Sequence, residues 1–264
     1  MNRLTTGLII SVIWLALLFS QSFTLLWLVF TAIGGLALHE YFSMCLSKDE
    51  ARIKPIAIII GLIPFIAALG MRPDLVFAGF FISIFASALL LFTQYARLDN
   101  GFILLTKLCC GLTLISLGAS HLSLLVALPH GVAWLVILTI ITIASDTGAY
   151  YAGSNFGKTK LCPAISPAKT VEGLIGGMIA SLVLVMIAKI FLLPHISSIT
   201  MFFATIMITL IGVGGDLTES IIKRSCRVKD SGTILPGHGG ILDRIDSLLT
   251  AAPTMYYLIH FNLI

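Results

Sequence analysis

The sequence predicts an all-α fold, a polytopic bundle of about nine membrane-spanning helices, and three observations carry that prediction. Hydrophobic residues make up 58% of the 264 and charged residues 11%, where a soluble globular domain carries about 25% charged residues. The apolar residues run in blocks, such as Leu75 to Phe92 and Val132 to Ala144, close to the roughly 17–25 residues that a helix needs to cross a bilayer. Glycine, proline and charged residues punctuate the chain between the blocks, marking where it turns.

The first block, 7–20, follows Arg3. A cleaved signal peptide also opens on a basic residue and an apolar run, but no A-x-A-like site follows and a second block starts at once, so 7–20 is predicted to be a span. The next blocks lie at 23–42, 55–70, 75–93 and 102–127, and Pro129-His130-Gly131 separates them from 132–152, 171–193, 200–217 and 247–262. Residues 1–130 therefore read as N-terminal scaffold helices. Residues 131–264 read as a C-terminal catalytic region with two polar loops, 153–170 and 218–246. The sequence shows no internal repeat, no low-complexity tract and no stretch long enough for a separate soluble domain. Five cysteines at irregular spacing form neither a zinc pattern nor a disulfide framework.

Charge then sets orientation. With nine spans and the N-terminus inside, Arg3, the Lys48/Arg52/Lys54 cluster, Arg97, the Lys158/Lys160/Lys169 group and the run from Lys223 to Arg244 all fall on one side. Arg72 and Lys189 fall on the other. This is the positive-inside pattern, and it predicts that both polar loops are cytoplasmic. The expected location is the cell inner membrane, with the chemistry on the cytoplasmic face.

Residues 216–247 hold five of the twelve acidic and five of the sixteen basic residues. If the helix over 200–217 continues past Gly215, then Asp216, Glu219, Ser220, Lys223 and Arg227 share one face. Asp243 and Asp246, three apart, share a face at the start of the last helix. Between them, Gly237, Gly239 and Gly240 flank His238. Glycines let a backbone approach a ligand, and the following helix N-terminus offers N–H groups and positive dipole to phosphate. Acidic groups beside such a loop point to a hard cation, and Mg2+ suits them because it takes one or two carboxylates together with substrate phosphate oxygens and water.

The second cluster centres on Asp146, near the end of the block over 132–152. A carboxylate inside a span costs about 2.5–3.5 kcal/mol on insertion scales and is a functional candidate for that reason. Downstream, Lys158 and Lys169 offer cations, and Thr170 is placed to cap the next helix with Glu172 in its first turn. His39 and Glu40 are expected at the membrane interface. His121, His195 and His260 have no neighbours that suggest a metal site.

These residues carry a resemblance. Ser220-x-x-Lys223-Arg224, Lys229-Asp230 and Pro236-x-His238-Gly239-Gly240-x-x-Asp243-Arg244-x-Asp246 resemble the signature of the phosphatidate cytidylyltransferase (CDP-diacylglycerol synthase) family. Asp146-x-x-Ala149-Tyr150, Phe156-Gly157-Lys158, Ser166-Pro167-x-Lys169-Thr170 and Glu172-Gly173 are similar to its second block. Ser154 stands where that family would have arginine, and Val171 where tryptophan is common. The resemblance covers 145–247, and the residues before it match only in being apolar.

What the resemblance implies is attack of a phosphatidate oxygen on the α-phosphorus of CTP, with release of pyrophosphate. Asp216 and Asp243 would hold Mg2+, with Asp246 paired to Lys223 behind it and a second cation alongside. Asp246 also counts among the candidate metal ligands. Lys223, Arg224, Lys229 and Arg244 would neutralise phosphates, and Ser220, His238, Gly239, Gly240, Asp146, Lys158 and Lys169 would complete the substrate contacts. The implied partners are CTP, phosphatidic acid and membrane lipids, with a homodimer as a further expectation and no nucleic acid. Two other classes compete. A secondary transporter or channel also uses intramembrane carboxylates, though near the midplane, and a CTP-dependent enzyme acting on an isoprenoid lipid would share the nucleotide chemistry.

Overall fold

The computed structural model describes residues 3–95, 100–235, 237 and 239–264. Arg97, Pro236 and His238, which entered the reading above, lie outside the described residues. The helices are α1 (Arg3–Ser20), α2 (Phe23–Cys45), α3 (Lys54–Ala67), α4 (Pro73–Gln94), α5 (Gly101–Gly111), α6 (Gly118–Ala127), α7 (Gly131–Phe156), α8 (Val171–Leu192), α9 (Ser198–Ser225) and α10 (Leu242–His260). A 3-10 turn precedes α3, and a π-helical turn, Leu112–Leu117, joins α5 to α6 into one run. Among the described residues, seven helical runs are long and apolar enough to cross a membrane. They correspond to the second through eighth predicted blocks, and the first and last blocks fall on α1 and α10. The chain is a polytopic helical membrane protein.

The burial pattern fits a lipid solvent. On α4, Phe81, Phe85 and Phe92 are 67%, 66% and 74% exposed, while Ser83 and Ser87 are 0% and 1% exposed. In lipid the large apolar side chains can face outward, and small polar residues serve contacts between helices. The Ser83 hydroxyl donates to the Ile60 carbonyl of α3 at 2.8 Å.

The chain divides into two compact units. One comprises Met1–Ala127 with Ser225–Ile245, and the other Leu128–Arg224 with Asp246–Ile264. In the first, the Trp27 indole N–H donates to the Phe65 carbonyl at 2.7 Å, one of the last carbonyls of α3 that lack a partner within their own helix. The Tyr41 hydroxyl donates to the Lys107 carbonyl at 2.9 Å, and the Lys107 ammonium pairs with Glu50 at 2.6 Å.

In the second unit, α7 and α8 pack almost backbone to backbone. A Cβ on Gly176 would lie 2.2 Å from that of Ala152, and one on Gly177 would lie 2.6 Å from the Ser145 carbonyl oxygen. The polar loop between these helices is more ordered than its composition suggests. It forms an antiparallel hairpin of β1 (Lys160–Cys162) and β2 (Ser166–Thr170), closed by an Ile165 N–H to Cys162 carbonyl bond at 3.1 Å.

Candidate active site

Helix α9 does continue past Gly215, for ten residues to Ser225. Asp216, Glu219, Ser220 and Lys223 therefore stand on its last three turns. Arg227 does not join that face, because it follows the helix end with φ +59°.

What brings α10 against this face is the small side of α9. A Cβ on Gly215 would lie 2.2 Å from Thr250 Oγ1 and 3.0 Å from the Asp246 carbonyl oxygen. The Thr250 hydroxyl donates to the Ile211 carbonyl at 3.1 Å. With the helices locked that closely, Asp216, Glu219 and Asp246 can each present a carboxylate oxygen within 4.8 Å of the other two. The negative charge of Asp146 acts on Asp246 as well.

Cations border the cluster. Lys169, at the end of β2, forms an ion pair with Asp216, and Lys223 forms one with Glu219. The Ser220 hydroxyl lies 3.5 Å from Asp216 Oδ1, and Arg224 Nε donates to the Ile165 carbonyl at 3.4 Å. A cavity of about 240 Å³ is lined by Asp146, Lys169 and Asp216 at its polar edge and by Tyr150, Leu161 and Val213 among its apolar walls. Lys158 is exposed, but its backbone N–H and that of Thr159 donate to the Glu172 carboxylate at 3.1 Å. Thr170 caps α8 by accepting from the Gly173 N–H at 3.1 Å.

The carboxylate cluster suits a divalent cation of the hard type. Oxygens opposite one another on Mg2+ stand roughly 4.2 Å apart, twice the metal–oxygen distance of about 2.1 Å. The spacing observed is thus within a small side-chain adjustment of that geometry. Three carboxylates beside two lysines leave negative charge for a cation to neutralise.

In the first unit, the polar loop is organised by Asp243. Its Oδ2 accepts from the Ser231 N–H, the Ser231 hydroxyl and the Gly240 N–H, each at 2.9 Å. Gly237 and Gly239 take φ of +76° and +84°, in the left-handed region where only glycine is unstrained. The Leu235 N–H donates to the Gly239 carbonyl at 3.0 Å. A polar cavity here is lined by Lys229, Asp230, Gly232, Thr233, Gly237, Gly239 and Arg244 among others. His238 lies outside the described residues.

Of the residues expected in the site, the structure brings Asp216, Asp246, Ser220, Lys169 and Lys223 into one cluster, and Lys229, Gly239 and Arg244 into one cavity. Two acidic residues were missed. Glu219 was legible as a member of the same helix face but was not counted among the ligands. Glu40, expected at the interface, is 3% exposed, and its Oε2 accepts from the Leu242 N–H at 2.9 Å.

Fold and sites define a helical membrane protein in which one unit clusters carboxylates with lysines and the other holds a glycine-rich polar loop. Residues 1–262 match the cytidylyltransferase family, and the chain belongs to it. It is 45% identical over 130 residues to the phosphatidate cytidylyltransferase of Bacillus subtilis, covering 49% of this chain and 48% of that one. It is 48% identical over 143 residues to that of Haemophilus influenzae, covering 51% and 48%. With the Staphylococcus saprophyticus phosphatidate cytidylyltransferase it shares 37% over 177 residues, covering 67% and 68%. The aligned stretch thus spans about half the length of the Bacillus and Haemophilus relatives.

Proposed function

We propose that this chain is a phosphatidate cytidylyltransferase of the cell inner membrane, converting CTP and phosphatidate to CDP-diacylglycerol and pyrophosphate. The observation that supports this most is the convergence of Asp216, Glu219 and Asp246, flanked by Lys169 and Lys223, in a member of the cytidylyltransferase family. A lipid phosphate is already an anion, so its attack on the α-phosphorus needs no strong base. The difficulty is electrostatic, since two polyanions must meet and a pyrophosphate must leave.

The chain's residues divide that task. Asp216, Glu219 and Asp246 would hold Mg2+, which when bound supplies charge neutralisation at the phosphates. The resemblance gives Asp243 a ligand role as well, and a second cation would sit beside the first. Lys169, beside an apolar-walled cavity, is suited to a lipid headgroup, and Tyr150, Leu161 and Val213 to what adjoins it. Lys229, Arg244 and the N–H groups of the glycine loop are suited to nucleotide phosphates. The concentration of basic residues on one side of the spans argues that the site faces the cytoplasm. Pairing with a second copy of the chain is a further proposal, tested by the mass of the detergent-solubilised protein.

The test is purified protein given radiolabelled CTP with either phosphatidate or an isoprenyl phosphate. Label is expected in CDP-diacylglycerol from phosphatidate. Label entering only the isoprenyl product, or neither lipid, would overturn the reading.

A further inference from the structure

Glu40 lies five residues before the end of α2, beside His39 in an otherwise largely apolar helix, and it is 3% exposed. Its nearest partners are about two hundred residues away in the chain. Oε2 accepts from the backbone N–H of Leu242, the first residue of α10, at 2.9 Å, and lies 3.4 Å from the Ser231 hydroxyl. That hydroxyl has one proton and stands closer, at 2.9 Å, to Asp243. The bond that depends on Glu40 is therefore the one to Leu242. A helix leaves its first N–H groups without partners and carries partial positive charge there. Glu40 supplies both an acceptor and a negative charge to that end of α10, from a different helix.

The glycine loop is fitted around this carboxylate. A Cβ on Gly232 would lie 2.4 Å from Glu40 Oε1, and one on Gly240 would lie 2.6 Å from Oε2. Among the described residues, Oε1 is buried without a hydrogen-bond partner. A buried carboxylate oxygen in that state is costly, so the side chain is held there by what its other oxygen does.

We propose that Glu40 is a positioning residue of the glycine loop: from α2 it caps α10 and seats Gly232 and Gly240, and so sets how Lys229, Arg244 and the loop N–H groups are presented. The inference rests on reading that loop as a nucleotide site. Glu40 touches no substrate in this scheme, and its effect should fall on CTP far more than on phosphatidate.

The protein carries its own reporter of loop seating. Cys45, the last residue of α2, has its Sγ 3.5 Å from that of Cys226, at the start of the loop. In a variant with Cys109, Cys110 and Cys162 replaced by serine, oxidation of the remaining pair with copper phenanthroline in air should form a Cys45–Cys226 disulfide quickly. Glu40→Ala should slow that crosslinking and raise the Kd and KM for CTP by about ten-fold or more, the scale of losing one hydrogen bond to a charged group. The KM for phosphatidate should change little. Glu40→Gln, which keeps an acceptor for Leu242, should recover most of both losses.

Gly232→Ala gives an independent route should Glu40→Ala not accumulate. The three atoms nearest its Cβ all belong to the Glu40 side chain, so it should slow crosslinking alone and add nothing in the Glu40→Ala background. Parental crosslinking rate and parental CTP affinity in Glu40→Ala, or in Gly232→Ala, would overturn the proposal. Slowed crosslinking in a protein that binds no CTP even before substitution would leave Glu40 as the seat of the loop and remove the nucleotide reading instead.

Discussion

Glu219 sits one helical turn beyond Asp216, so a single helix places two carboxylates on the face where Asp246 arrives from another. Lys223, one further turn on, is 12% exposed at its side chain and pairs with a Glu219 side chain that is 6% exposed. Removing one member of so buried a pair leaves a bare charge, a loss of about 3–5 kcal/mol where burial is complete. Lys223→Met and Glu219→Gln should each lower thermal stability and turnover sharply, while the double variant loses less than the sum. The same cycle run with Asp246→Asn measures the pairing that the family resemblance implies for Lys223. Additive losses in both cycles would show that Lys223 stabilises neither carboxylate. Glu219 could have been read from its spacing alone, since the i, i+3, i+4, i+7 pattern was visible. Glu40 could not be partnered that way, because Ser231 and Leu242 are remote in sequence. The only available signal was the cost of a carboxylate within an apolar segment, which applied to Glu40 as much as to Asp146.

At the scale of elements, the approach of α10 to α9 depends on Gly215. Gly215→Ala would place its Cβ against Thr250 and the Asp246 backbone, and overpacking of that kind costs about 1–3 kcal/mol. The expected outcome is a lower melting temperature together with weaker Mg2+ binding, and partial recovery of both when Thr250→Ala is added. Unchanged Mg2+ affinity in Gly215→Ala would separate the cluster from the helix crossing. The cap of α8 was legible from Thr170 and the start of the apolar block, and Thr170→Ala should cost about 1 kcal/mol, read as a small drop in melting temperature. The β1–β2 hairpin was not legible. Its strands have three and five residues, too short to show alternation, and Pro167 within the second argues against a strand except at a sheet edge, which a two-stranded hairpin provides. The continuation of α9 past Gly215 was legible as the condition that puts Asp216, Glu219, Ser220 and Lys223 on one face, and only Arg227 falls beyond the helix end. Of the two glycines there, Gly215 serves the packing of this uninterrupted helix against α10, whereas a Cβ on Gly214 would meet open space.

For the whole chain, the spans were legible because a bilayer demands long apolar runs, and each predicted block has its helix. Sidedness follows from charge rather than from coordinates, and it has a direct check. With the native cysteines replaced, a cysteine at Thr159 or Thr233, both exposed, should in sealed vesicles react with an impermeant maleimide only from the face that was cytoplasmic. Labelling from the opposite face would reverse the topology. The proposal that the carboxylate cluster serves cytidylyl transfer from CTP to phosphatidate through a bound divalent cation is open to a direct measurement. The rate of CDP-diacylglycerol formation by purified protein is followed as Mg2+ is titrated, for the parent and for Asp216→Asn. The parent should require Mg2+ and lose its activity to a chelator. Asp216→Asn should fall by on the order of 100-fold and regain part of that at raised Mg2+, with its melting temperature largely preserved. Near-parental turnover and Mg2+ dependence in Asp216→Asn, or product formation that a chelator leaves intact, would contradict the claim.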